Sequence, residues 1–103
     1  MAALLSLLQE NEVFPVNGNV ELFPQKGGWF FVKVPKKYTN LTKDVSDRGL
    51  VAISARVGAT VWKTSLLPLG DGTHFIALPA KVRKKEEIHL SDPILLTFSL
   101  RER

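Results

Sequence analysis

Residues 50–67 read LVAISARVGATVWKTSLL and contain two alternating runs around Gly58-Ala59. A glycine that opens a two-residue loop is typical of the type II′ turn of a β-hairpin. Apolar side chains occupy every second position of residues 51–57, which is the period of a strand with one face on a core. Counting back from the turn pairs Ala55 with Trp62. The stretch therefore predicts a hairpin with one apolar face and one largely polar face.

Strand signals continue on both sides of this hairpin. Runs rich in β-branched and aromatic residues predict further strands at 20–23, 29–34, 73–78 and 94–100. Short helices are predicted within 36–49 and at 80–87, and Asn17-Gly18 predicts a turn. The side chains expected in the core are Val32, Val34, Ile53, Trp62, Ile76, Leu78, Leu95 and Phe98. The pattern predicts an all-β fold with short helices, a small barrel of six to eight strands.

The sequence also repeats itself weakly. Residues 31–38 (FVKVPKKY) align with residues 75–82 (FIALPAKV) at an offset of 44 positions, and the offset continues without a gap into the next strands. Each half then consists of a strand, a proline, a basic helical turn, a loop and a strand. Chance similarity between two β-rich halves is the alternative. A true repeat predicts a pseudobarrel that is built from two pseudo-repeated halves.

Length and composition limit the class of protein. The chain has 103 residues, a net charge of +4 and no cysteine, which excludes disulfides and thiolate chemistry and suits a cytoplasmic location. Residues 1–12 carry four leucines without the flanks of a signal peptide, and they are too few to cross a membrane. We expect 1–12 to form an N-terminal helix or tail and 13–103 to form one barrel domain. The expected state is a monomer, or a weak homo-oligomer through the N-terminal segment.

The second half of the chain resembles a known half-barrel. Between Phe75 and Leu100, Leu78-Pro79, Val82-Arg83 and Asp92 match the pattern of the AbrB/MazE swapped-hairpin family, in which a strand ends at proline and a helical turn carries an arginine. Ser91 departs from the glycine that is usual there. In that family two chains build a pseudobarrel that binds DNA, and the resemblance implies that a tandem repeat builds one from a single chain.

From about Val20 to Arg101 the chain also resembles an uncharacterised prokaryotic domain family. Members of that family sometimes precede a bacteriocin-protection domain of the YdeI/OmpD-associated type. The residues that carry this resemblance are Gly58, Trp62 to Leu66, Pro68, Gly70 to Gly72, Leu78 and Val82 to Lys84. It implies a double-split β-barrel and no known activity.

The side chains available for catalysis form no recognised pattern. His74 and His89 are the only histidines, and neither lies in a metal-binding spacing. We expect His74 at the surface, where a strand begins. A turn is enough to explain Asp71, which stands between two glycines. We therefore expect no enzymatic activity, no metal and no cofactor.

We expect the protein to bind a ligand rather than to catalyse a reaction, and two surfaces are candidates for the binding site. A small anionic or polar ligand is expected at cations and hydroxyls of the polar hairpin face and the following helix, namely Ser54, Arg56, Lys63, Ser65 and Arg83. Nucleic acid is the alternative, across the two basic segments Lys36, Lys37, Lys81, Arg83, Lys84 and Lys85. Glu86 and Glu87 dilute the second segment, which favours the small ligand. A structural or protein-interaction role is the third class.

Overall fold

Antiparallel strands form the framework of the domain. The computed structural model describes residues 12–24 and 28–101. The strands in these ranges are β1 Phe14–Asn19, β2 Glu21–Leu22, β3 Phe30–Val34, β4 Val51–Val57, β5 Thr60–Pro68, β6 His74–Ala77 and β7 Pro93–Leu100. The helices are α1 Lys36–Leu41 and α2 Ala80–Lys85, with a 3-10 turn at Lys43–Val45. The prediction of an all-β fold with short helices is confirmed.

The seven strands form one sheet that curls into a nearly closed barrel. Their order is β1-β7-β4-β5-β6-β3-β2, so the two ends of the sheet are consecutive strands that only Val20 separates. The Val20 amide donates to the Asp92 carbonyl, and its carbonyl accepts from the Ser91 amide, both at 2.9 Å. The chain therefore bends at Val20 while it remains bonded to the segment that leads into β7, and the bend brings the ends of the sheet together.

The hairpin has the predicted register. Ala55 lies opposite Trp62 and Val51 opposite Leu66. The inward positions of β4 are buried, and Gly58 has the positive φ of 57° that its turn position favours. Beyond the hairpin β5 continues and pairs with β6. This strand therefore belongs to both parts of the barrel.

The 44-residue repeat is confirmed by element bounds and by register. Helices α1 at 36–41 and α2 at 80–85 begin and end 44 residues apart. Val32 lies opposite Ile76 in the β3–β6 ladder, so two residues that the repeat makes equivalent pair with each other. A pseudo-twofold axis requires this arrangement, since equivalent residues meet on the axis. In the β4–β7 ladder Ser54 lies opposite Ser99 and Ala55 opposite Phe98, which is one residue away from the pairing of exact equivalents.

Two predictions about core side chains need correction. Leu95 is 57 % exposed, and its prediction as a core residue was wrong, because side chains alternate along a strand and the buried Phe98 fixes the opposite face as the inner one. Trp62 is only half-buried, although it packs against the core. The other predicted core residues are buried, namely Val32, Val34, Ile53, Ile76, Leu78 and Phe98.

The predicted turn at Asn17-Gly18 was also wrong, since both residues lie inside β1 and pair with β7. Gly18 is there for a different reason. A Cβ atom built on Gly18 would lie 2.8 Å from Cγ1 of Val32, so only glycine lets β1 pass this close to β3. The predicted N-terminal helix or tail over 1–12 lies, except for Glu12, outside the described residues.

Gly18→Ala is expected to lower the free energy of unfolding by about 1–3 kcal/mol, because the added methyl group overpacks the β1–β3 contact. Urea denaturation followed by circular dichroism measures the loss. The neighbouring Asn17→Ala change, at an exposed position of the same strand, serves as the control and is expected to stay within about 0.5 kcal/mol. Equal stabilities of the two variants would contradict the close approach.

Candidate ligand-binding groove

Four of the five predicted ligand residues lie on the outer face of the β4–β5 hairpin. Ser54 is opposite Lys63, and the inward neighbours of Ser54 are in the core, so both residues point outward. Arg56 is exposed and its Nε donates to the Gly58 carbonyl at 2.9 Å. Ser65 shares this face two residues from Lys63. The structure thus brings these four side chains together on an open sheet surface.

The fifth predicted residue, Arg83, lies in a groove between β3 and α2. The groove has a volume of about 320 Å³, at the lower end of the range of about 300–1,000 Å³ for small-molecule sites. Its lining residues are Gly28, Trp29, Phe30, Ala77, Leu78, Pro79, Ala80 and Arg83. None of the four hairpin residues lines it, so the predicted five-residue cluster divides into an outer face and a separate groove.

Two contacts hold the Arg83 side chain. Its Nε donates to the Leu78 carbonyl at 3.0 Å, and its guanidinium carbon lies 3.9 Å from the ring centroid of Phe30, within the range of cation–π contacts. Among the described residues no carboxylate forms an ion pair with Arg83. The two terminal nitrogens therefore remain as donors that can bind an anion end-on.

The pseudo-equivalent place, at the other end of the β3–β6 ladder, is closed by internal hydrogen bonds. The offset of 44 carries Phe30 to His74 and carries Arg83 back to Thr39. His74 Nδ1 lies 2.9 Å from the Thr39 hydroxyl oxygen, and His74 Nε2 lies 2.9 Å from the Gly49 carbonyl oxygen. Because a carbonyl only accepts, Nε2 carries a proton in this arrangement.

His74 is 6 % exposed, so its prediction as a surface residue was wrong. It stands at the start of a strand, but its position is the equivalent of an inward-facing phenylalanine, Phe30. The ring therefore points into the barrel, where Thr39 and Gly49 satisfy both of its nitrogens. The residue fastens the 36–49 connection to β6.

His74→Ala is expected to lower the free energy of unfolding by about 2–3 kcal/mol, because it removes two hydrogen bonds and leaves the Gly49 carbonyl without this donor. Thermal or urea unfolding checks the value. His89→Ala is the matched control, since His89 is the other histidine of the chain and is exposed, and it is expected to change stability by less than about 0.5 kcal/mol. An unchanged free energy of unfolding in His74→Ala would contradict the role of His74 in attaching the 36–49 connection to β6.

The basic segments of the nucleic-acid alternative lie on the two helices. The five lysines are exposed, namely Lys36, Lys37, Lys81, Lys84 and Lys85, whereas Arg83 is half-buried. Since β3 and β6 run antiparallel, α1 and α2 leave this ladder at opposite ends. The two groups of lysines are thus not adjacent along it.

Two further titratable residues, Asp71 and His89, have contacts with their near neighbours in sequence. The pKa of Asp71 is held below its usual value because the hydroxyl and then the backbone amide of Thr73 donate to its carboxylate, as in an ordinary turn. His89 Nδ1 lies 3.6 Å from Asp92 Oδ2 at the surface. Within 12–24 and 28–101, no group of three or more acidic or histidine side chains is placed to hold a metal ion. In the same ranges, no helix has the length and apolar character needed to span a bilayer.

Fold and groove together define an antiparallel β-barrel domain with two pseudo-equivalent halves. The second half has Arg83 at the position where the first half has Thr39. The model of a family described as "Domain of unknown function (DUF1905)" matches residues 17–97. The chain therefore belongs to this family, and the match includes the groove residues and both helices. A search of curated proteins found no match.

The sequence reasoning missed Trp29 and Phe30 as groove residues. Their signal was the repeat itself, because the offset that aligns Pro35 with Pro79 also places Phe30 at the position of His74. Comparing the two halves at each aligned position would have shown that Phe30 aligns with His74 and that Thr39 aligns with Arg83, two positions at which the residue type differs.

Proposed function

We propose that this domain is a non-enzymatic binding module for a small anionic ligand, and that Arg83 holds the anion in the groove. The observation that carries the proposal is the difference between two pseudo-equivalent places, each built from one residue of each half. At one place His74 and Thr39 satisfy each other. At the other, Arg83 stacks on Phe30 and retains donors that no described carboxylate pairs with.

The restraint of Arg83 supports this role. An arginine side chain has several rotatable bonds, and fixing them on binding an anion reduces affinity. In this groove the bond to the Leu78 carbonyl and the stacking on Phe30 already fix the side chain. The guanidinium is thus pre-organised, and an anion meets it without the full entropic loss.

The composition of the groove favours binding over catalysis. Arg83 is its single ionisable lining side chain among the described residues. A guanidinium stays protonated at physiological pH, so it can hold an anion but cannot act as a general base. The remaining lining groups are apolar side chains and glycine, which offer no nucleophile.

Mapping of amide chemical shifts tests this function. The uniformly ¹⁵N-labelled protein is titrated with sodium acetate and, separately, with inorganic phosphate at constant ionic strength. We expect saturable shifts at residues 28–30 and 78–84. Shifts confined to residues 54–65 would instead place the site on the hairpin face, and the absence of saturable shifts with both anions would overturn the proposal.

Nucleic-acid binding of the AbrB type is the second candidate. It is favoured by the exposure of the five helix lysines, none of which forms an ion pair within the described residues. Such unpaired cations are available to phosphates. The position of α1 and α2 at opposite ends of the β3–β6 ladder requires the nucleic acid to span this ladder in order to contact both groups.

The salt dependence of duplex DNA binding tests this second candidate. Four phosphate contacts give a slope near −3.6 in a plot of log K against log salt, and Lys36→Ala is expected to flatten it by about 0.9. Lys63→Ala, on the hairpin face, is the control and leaves the slope unchanged. Fluorescence anisotropy without any signal at tens of micromolar protein and low salt would exclude DNA as a ligand.

A further inference from the structure

We infer that the ligand of the groove is an aromatic carboxylate, an inference that rests on the proposed function of Arg83. The groove offers a cation at one place and apolar walls around it. Gly28, Ala77 and Ala80 leave space in these walls, and the large side chains are Trp29, Phe30, Leu78 and Pro79. A ligand that uses both parts of the groove carries a flat apolar ring next to its anionic group.

Trp29 provides the surface for the ring. It is 54 % exposed, although a tryptophan in a small domain would normally be covered further. It is also held in place, because its ring meets the buried Phe75 edge to face at 6.4 Å. Phe75 in turn packs against Phe31 at 5.4 Å and Phe23 at 5.1 Å. Trp29 is therefore an exposed indole with an aromatic contact on Phe75 at the edge of the groove, and such a ring is suited to stacking.

Arg83 determines how the anion binds. The Leu78 carbonyl occupies Nε, so the side-on approach that uses Nε and one terminal nitrogen is blocked. The end-on approach to both terminal nitrogens remains, and it matches the two oxygens of a carboxylate.

The charge of the groove favours a carboxylate over a phosphate. Arg83 is the single ionisable side chain among the described residues that line the groove. In the neighbouring recess, which Arg83 also lines, the opposite charges of Lys84 and Glu87 offset each other. One guanidinium therefore faces the anion, and it balances one negative charge. A carboxylate carries one negative charge, whereas a phosphate monoester carries between one and two at neutral pH.

Four probe compounds separate the contributions of ring and charge. The full chain is titrated with 2-naphthoate, cyclohexanecarboxylate, neutral 2-naphthamide and 2-naphthyl phosphate, followed by ¹⁵N chemical shifts. We expect 2-naphthoate to bind about tenfold more tightly than cyclohexanecarboxylate, because an aromatic ring gains from stacking. The amide and the phosphate are expected to bind more weakly than 2-naphthoate. Equal binding of the two carboxylates overturns the aromatic part of the inference, and tighter binding of the phosphate overturns the carboxylate part.

Trp29→Leu tests the indole directly. It is expected to lower the affinity for 2-naphthoate to that for cyclohexanecarboxylate and to leave the affinity for acetate unchanged. Trp62→Phe is the control, since Trp62 is half-buried against the core and does not line the groove. Unchanged naphthoate affinity in Trp29→Leu, with acetate still bound at Arg83, overturns this inference alone. Failure of all the anions to bind overturns the proposed function as well.

Discussion

Replacing Phe98 with alanine is expected to lower the free energy of unfolding by about 3–5 kcal/mol. Phe98 is 1 % exposed, and its ring centroid lies 5.3 Å from that of Phe14 and 5.4 Å from that of Tyr38. The hydroxyl of Tyr38 donates to the Pro15 carbonyl at 2.8 Å. The aromatic triad therefore joins β7, β1 and α1, and truncating the Phe98 ring leaves a cavity between them.

Leu95→Ala is the matched control for this change. Leu95 lies three residues earlier on β7 but on the outer face, so its truncation is expected to change stability by less than about 0.5 kcal/mol. Urea denaturation measured by circular dichroism and by tryptophan fluorescence gives both values. A loss below 1 kcal/mol for Phe98→Ala, or equal losses for the two variants, would contradict the assignment of the faces of β7.

Arg83→Gln is expected to weaken the binding of 2-naphthoate by about 10- to 100-fold. Glutamine keeps a polar side chain but lacks the charge and the pair of terminal nitrogens that can donate to both carboxylate oxygens, and hydrogen bonds to charged groups contribute about 1.5–3 kcal/mol each. Isothermal titration calorimetry measures the change, and the denaturation midpoint shows that the variant is folded.

Two controls separate the groove from the other cations. Lys63→Gln removes a charge from the hairpin face, and Lys84→Gln removes the charge next to Arg83 on α2. We expect Lys63→Gln to change the affinity less than twofold and Lys84→Gln to change it less than Arg83→Gln does, because neither side chain lines the groove. A large loss in Lys63→Gln with binding retained in Arg83→Gln would move the site to the hairpin face.

The sequence was most informative where the structure is set locally. The register of the β4–β5 hairpin follows from the Gly58 turn and the period of two, both of which act over a few residues. The 44-residue repeat was likewise visible, because each proline ends a strand and begins a helix. The sequence did not predict β1, because a glycine such as Gly18 is typical both of a turn and of a close approach between strands. The contact with Val32, which distinguishes the two, exists only in the folded chain.

The site depends more on contacts between distant residues. Charge alone pointed to Arg83, but its partner Phe30 lies 53 positions away, and the groove exists only because β3 and α2 meet. The burial of His74 was unpredictable for the same reason, since its partners Thr39 and Gly49 precede it by 35 and 25 residues. The prediction for Leu95 failed for a different reason. Residues three positions apart on a strand point to opposite faces, so Leu95 and Phe98 cannot both lie on the inner face of β7.

The side-chain N–H signals of Arg83 and Trp29 test the central claim most directly. They are assigned by their loss in Arg83→Gln and Trp29→Leu and followed in ¹⁵N spectra during a titration with 2-naphthoate. The structure predicts that the Arg83 Nε–H and the Trp29 indole N–H shift together with one dissociation constant, while the Nε–H of Arg56 stays in place. Saturable movement of the Arg56 signal with Arg83 and Trp29 unmoved would contradict the assignment of the groove as the binding site.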